Sequence, residues 1–235
     1  MLRNLLIALV LASFGFIFYN LYQSYEPQTE LTGIAAHFAE NGASEVGAAN
    51  LVTAVVVSYR SFDTLGEITI LFLTAAIISF FLKLSKEDEE KVIIHRGTSE
   101  LLQTASFLLI PLIFLFGVYV FINGHLTPGG GFQGGAIIAS GVVLAIMANP
   151  NMTINHKVII WVESLSGVSV ILIGVLGILL GGGFLDSSIK GLGFGEFGTI
   201  FSAGTIPFIY SLVGLKVGAE LSNILNLYQK SQKEA

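Results

Sequence analysis

The chain reads as an all-α polytopic membrane protein with about six transmembrane helices, and two observations carry that reading. Hydrophobic residues make up 53% of the sequence and charged residues only 11%, where a soluble domain carries roughly 25% charged residues. The apolar residues gather into six runs, 2–21, 64–84, 101–122, 132–148, 158–180 and 199–221, each close to the roughly 20 residues that a helix needs to cross a bilayer. There is no cysteine, which excludes disulfides and Cys-ligated iron–sulfur clusters from this chain. The expectation is therefore no cofactor in this chain, with any redox centre in another polypeptide. A formal charge of −5 without a basic patch argues against nucleic acid as a partner and leaves the lipid bilayer as the surroundings.

The first run follows Arg3, as in a signal peptide. It is long, however, and no small-x-small cleavage site precedes Gln23, so an uncleaved anchor is expected. The stretch 29–60 then holds two shorter segments. Within 29–40, Leu31, Ile34, Ala35 and Phe38 recur at helical spacing, which predicts an amphipathic helix on the outer face. Residues 46–57 are apolar but too short to span, so they are expected to be re-entrant or interfacial. The second span closes a unit at 1–84, the charged stretch 85–98 links it to the rest, and four further spans make a unit at 99–235.

Basic residues set the orientation. With six spans both termini share one side, which then holds Arg3, Lys83, Lys86, Lys91, Arg96, Lys157, Lys230 and Lys233. The other side holds Arg60 and Lys190. By the positive-inside bias both termini are expected to be cytoplasmic.

Ionisable groups within or beside spans mark functional pairs or ion paths by default. The outer group is Asp63, Glu67, His125 and Glu196. Asp63 at the start of the second span reads either as a helix N-cap or, with Glu67 four residues on, as a carboxylate pair sharing one face that can hold a proton or a cation. The inner group is Glu163, Lys216 and Glu220. Glu163 lies about six residues into the fifth span and Lys216 about six from the end of the sixth, so both sit roughly 9 Å deep at 1.5 Å per residue. A Glu163–Lys216 pair is expected, serving either as an ion path or only to fix helix packing, with Glu220 nearer the interface. The alternative for Lys216 is snorkelling to the membrane surface.

Small residues recur at helical spacing at Gly131, Gly135 and Ala139, at Gly177 and Gly181, and at Gly214 and Gly218. They predict close helix approach, either to other subunits of a larger complex or within a bundle closed on itself. The densest cluster is the turn between spans three and four: Gly124, His125, Pro128, Gly129, Gly130, Gly131, Phe132, Gly134 and Gly135. No Lys-Ser/Thr follows the glycines and no strand precedes them, so this is neither a P-loop nor a dinucleotide fingerprint. It is expected to be a packing turn, with His125 as a structural hydrogen-bonder or a group titrating near neutral pH.

These glycine-turn residues, with His95-Arg96-Gly97 before the third span, resemble the signature of the MnhB/MrpB family, a small membrane component of the multisubunit Mrp-type Na⁺/H⁺ antiporters, over about residues 93–228. The run Asn50-Leu51-Val52-Thr53-Ala54-Val55 and the stretch from Arg60 through Phe62-Asp63-Thr64-Leu65-Gly66-Glu67 resemble the C-terminal end of the large MnhA/MrpA-type component of the same antiporters. A fusion of these two pieces is similar to what occurs in archaeal membrane-bound hydrogenase and sulfane sulfur reductase complexes. The resemblance implies a transport component without a catalytic or metal site of its own, handling Na⁺ and H⁺ as transported ions. It implies other antiporter-module membrane subunits as partners and, in a respiratory complex, a hydrogenase-like iron–sulfur or nickel–iron arm. The alternatives are a component of a stand-alone antiporter and a purely structural role in either assembly. A membrane enzyme would need a convergent His/Asp/Ser cluster, whereas His95, His125 and His156 scatter over both faces.

Overall fold

The computed structural model describes residues 2–26, 30–82, 98–150, 152, 154–188 and 193–231. Most of the charged linker, the His95-Arg96-Gly97 run and the basic residues Lys83, Lys86, Lys91, Arg96, Lys190 and Lys233 lie outside the described residues. The described residues are helical, without strands, and six of the helices are long and apolar enough to cross a membrane.

Residues through His37 form one compact unit and residues from Phe38 onward a second. The first contains α1 (Leu2–Ser24), which is apolar on every side and has no buried residue, as expected of a bilayer span. Helix α2 (Gly33–Val46) starts later and ends later than the 29–40 expected. Leu31 and Ile34, read above as its apolar stripe, are exposed, and its buried residues are Gly42 and Val46 instead.

The segment 46–57 packs Val46, Ala48, Ala54 and Val57 into the core of the second unit. After a break at Gly47, Asn50 caps a short helix, α3 (Leu51–Thr53), by accepting from the Val52 N–H at 3.1 Å. A π-helical stretch, Ala54–Tyr59, follows and bends at Arg60 into α4 (Ser61–Phe81). Thr53, Ala54 and Val57 are fully buried. Irregular backbone at such depth is tolerated where protein surrounds it. Tyr59 stacks on Phe38 and donates to Glu45; burial and that carboxylate push its hydroxyl up to about 12.

Three long helices follow: α5 (Glu100–Ile122), α6 (Gly131–Ala148) and α7 (His156–Leu180), α5 capped by Ser99 and α7 by Asn155. The last, α8 (Ile206–Ser231), packs against α4, α5, α6 and α7 and is the most buried of the spans. It begins seven residues later than the run 199–221 suggests and continues well past it. Residues 199–205 are turns, with Ala203 and Gly204 at φ +62° and +59°, conformations no helix continues through. Pro207 is tolerated in a first helical turn. At the other end Ser222, Asn223 and Asn226 depress the hydropathy, yet all three are buried inside the protein.

Glycine places α6 between two neighbours. A methyl on Gly135 would lie 2.7 Å from the Gly214 carbonyl of α8, and one on Gly134 would lie 2.6 Å from the Gly117 carbonyl of α5. Gly177 meets the backbone of the loop after α7 in the same way. The close approaches at Gly131, Gly135, Gly177 and Gly214 are made within the chain.

Candidate functional site

Two buried polar clusters stand out in the second unit. The first surrounds the glycine-rich turn. Gly130 adopts φ 154° and ψ −174°, a conformation open essentially only to glycine, and this turns the chain into α6. The Gly124 carbonyl accepts from Asn50 Nδ2 at 2.8 Å and from Thr53 Oγ1 at 2.6 Å, which occupies both of its lone pairs. Asn50 Nδ2 also donates to the Thr127 carbonyl at 3.0 Å, and its backbone N–H to the His125 carbonyl at 3.0 Å. Tyr210 of α8 completes the cluster by donating to Thr53 Oγ1 at 3.2 Å. The segment after α2 is thereby tied to the turn between α5 and α6.

His125 is fully buried beside this cluster. Its Nε2 lies 3.2 Å from the Thr199 carbonyl and its Nδ1 has no hydrogen-bond partner among the described residues. Burial holds its pKa below the ordinary 6.5, so the ring is neutral at neutral pH rather than poised there.

The second cluster lies on α8. Lys216 Nζ pairs with Glu220 on the next turn of its own helix, and the two side chains are 5% and 0% exposed. The ammonium also sits 5.2 Å from the centre of the Phe72 ring of α4. This corrects two expectations. Lys216 does not snorkel, and its ion pair is with Glu220, which is buried rather than interfacial. The reason is the shifted span: α8 ends ten residues later than the hydropathy indicates, so Lys216 lies near its middle, a turn deeper than Glu163. Glu163 nevertheless opens into the same space. A cavity of about 410 Å³ between α4 and α7, floored by α8, is lined by Ile68, Thr69 and Phe72 on one side, Glu163 and Gly167 on the other, and Lys216 beneath.

The outer carboxylates are not brought together. Asp63 pairs with Arg60, with both side chains exposed. Arg60, not Asp63, occupies the N-cap position of α4. Glu67 is exposed one turn on, makes no hydrogen bond or ion pair among the described residues, and does not line the cavity. Glu196 is exposed in the loop before α8. No three His, Asp or Glu side chains converge among the described residues.

Sequence reading took Asn50 and Thr53 only as part of a family-like run and missed their contact with the distant turn and with Tyr210, since none of the three carries a charge. It also passed over Asn223 and Asn226. The spacing Lys216, Glu220, Asn223 was the available signal, since i, i+4 and i+7 share one helix face.

Known proteins share this arrangement. Residues 101–223 match the family described as a domain related to the MnhB subunit of Na⁺/H⁺ antiporter. Residues 2–95 match the MbhE family, described as the E component of MBH. An uncharacterised protein of Methanocaldococcus jannaschii is 34% identical over 194 residues, which cover 74% of each chain. A probable K⁺/H⁺ antiporter component of Rhizobium meliloti, of the combined A/B type, is 25% identical over 98% of this chain but only 25% of its own length. Among solved structures, a chain of the membrane-bound sulfane sulfur reductase, an archaeal respiratory membrane complex, superposes with a TM-score of 0.85 and 36% identity, covering 97% of this chain and 98% of that one.

Proposed function

Since the chain belongs, through residues 101–223, to the family of domains related to the MnhB subunit of Na⁺/H⁺ antiporters, we propose that it is a membrane component of a Na⁺/H⁺-translocating module in a respiratory complex of the sulfane sulfur reductase type. In this reading, electron transfer in a separate arm drives Na⁺ across the membrane. The observation that carries the proposal is the near-complete two-way coverage by the sulfane sulfur reductase chain, which has both pieces of this protein in one polypeptide. In this reading the chain itself carries no redox centre, both termini face the cytoplasm, and Na⁺ and H⁺ are cargo.

A second reading, a stand-alone antiporter, is favoured by the Rhizobium A/B-type component, which also matches both pieces in one chain. Affinity purification in mild detergent separates the two. Iron–sulfur or nickel–iron subunits retained with this chain support the respiratory complex, and a set of purely membrane subunits supports the antiporter.

Within the module, Glu163 and Lys216 are proposed to serve ion movement at the cavity, with Asp63 and Glu67 as path residues towards the opposite face and His125, the other candidate of that outer group, as a neutral hydrogen-bonder in the turn. Glu67→Ala tests the weakest-supported of these. Na⁺ transport into inverted vesicles falls severalfold while the complex still assembles if Glu67 serves the path, and is unchanged if it does not.

A further inference from the structure

We infer that α8 carries a water-lined proton path, running from its C-terminal end past Asn226, Asn223 and Glu220 to Lys216, where it meets the cavity beside Glu163. The inference rests on the ion-translocating reading above and names a route for one of its two ions.

Glu220, Asn223 and Asn226 are 0%, 8% and 3% exposed. Each keeps one polar atom without a hydrogen-bond partner among the described residues: Glu220 Oε2, Asn223 Oδ1 and Asn226 Nδ2. Buried polar atoms are satisfied by protein or by internal water, and three orphans in succession on one membrane helix call for the latter. Lys216, Glu220 and Asn223 lie in one line along α8, with Asn226 a turn further on at its edge.

The line faces α7. A methyl on Gly167 would lie 3.5 Å from Lys216 Cε, and Glu163, one turn earlier on α7, lines the same cavity as Lys216. The other side of α8 is closely packed, with Val217 against Gly135 of α6. Gln229 donates to the Pro150 carbonyl at 3.1 Å, so the path starts at the membrane face that carries the α6–α7 connection.

The chemistry fits H⁺ rather than Na⁺. Acceptors and a donor spaced along a helix suit a file of hydrogen-bonded water. A bare cation wants several converging oxygens and would meet the Lys216 ammonium. A proton arriving at Glu220 converts the carboxylate to the acid, and Lys216 loses its counter-charge. Glu163, across the cavity, is then the nearest carboxylate on α7 to take up the pairing or the proton.

The chain has no cysteine, so a single introduced thiol is unique within it. Asn223→Cys, Asn226→Cys and the control Val217→Cys are compared in the assembled complex, using 2-aminoethyl methanethiosulfonate and mass detection of this chain. The reaction needs a thiolate and access to the reagent, so thiols on a wet line should react at least about tenfold faster than the control. Rates at both positions equal to the control overturn the path. If Asn223→Cys fails to assemble, Asn226→Cys decides. In the unmodified complex, hydroxyl-radical labelling should mark residues 220–227 above 213–217, and equal labelling counts against the path. Labelling is read without transport. A dry line therefore sinks the path and leaves the antiporter reading standing, whereas a wet line in a complex that moves no Na⁺ does the reverse.

Discussion

At the glycine-rich turn, Asn50 and Thr53 fill the lone pairs of the Gly124 carbonyl with uncharged donors, and Tyr210 donates in turn to Thr53. At Lys216, the ammonium pairs with Glu220, polar atoms nearby lack partners, and a cavity of about 410 Å³ lined also by Glu163 adjoins. Both clusters are buried in the same helical unit, and their difference is one of completeness. A satisfied neutral network has nothing to exchange and fixes a geometry. A charged network with spare acceptors and room beside it can take up and release a proton. On the proposed ion-path reading, the chain holds its joint with one cluster and keeps the other free for chemistry.

The comparison is broken most severely at the ion pair. Lys216→Met leaves the Glu220 carboxylate buried and uncompensated, and removing one partner of a buried pair costs about 3–5 kcal/mol. Loss of assembled complex on size exclusion, together with loss of Na⁺ transport, is the expected outcome. The double variant Lys216→Met with Glu220→Gln removes both charges and should recover much of the assembly without recovering transport. A double variant that transports at the wild-type rate would reduce the pair to a packing device, the other role open to a buried pair of this kind.

At the turn the expected effect is smaller and of another kind. Asn50→Ala leaves the Gly124 carbonyl with Thr53 as its remaining side-chain donor and takes the Asn50 donor from the half-buried Thr127 carbonyl, a loss of about 1 kcal/mol per hydrogen bond. The thermal unfolding midpoint of the complex should fall, while transport per assembled complex stays at the wild-type level. A transport defect larger than the loss of complex would move this cluster out of the structural class.

What the sequence made legible follows the same division. The spans and the identity of the turn could be read because apolar length and glycine density are local signals. Asn50, Thr53 and Tyr210 could not, because neutral residues far apart in the chain advertise no contact. The boundary of α8 was misjudged for a physical reason. Hydropathy equates polar with exposed, and Ser222, Asn223 and Asn226 are polar and buried. That single error placed Lys216 a turn too shallow and paired it with Glu163 instead of Glu220. The glycines of α6 and α8 announced close packing correctly, but periodicity carries no information on whether the neighbour belongs to the same chain.

His125 gives the mildest test, because it belongs to the turn by position and to the charged class by chemistry. Burial holds its pKa below 6.5, so the folded protein keeps the ring neutral at a pH where the unfolded chain already binds a proton. Stability from this group is therefore full above about pH 6.5 and declines as the pH drops through that value, until the folded ring itself protonates. Unfolding midpoints of the purified complex between pH 7.5 and 5 should show that decline, and His125→Gln should flatten it. Transport rates corrected for assembled complex should keep their pH profile in His125→Gln if, as proposed, proton uptake lies at Glu163 and Glu220. If the acid limb of transport disappears with the imidazole, the ring takes part in the path, and the line between a neutral joint and a titrating cavity has to be redrawn to include the turn.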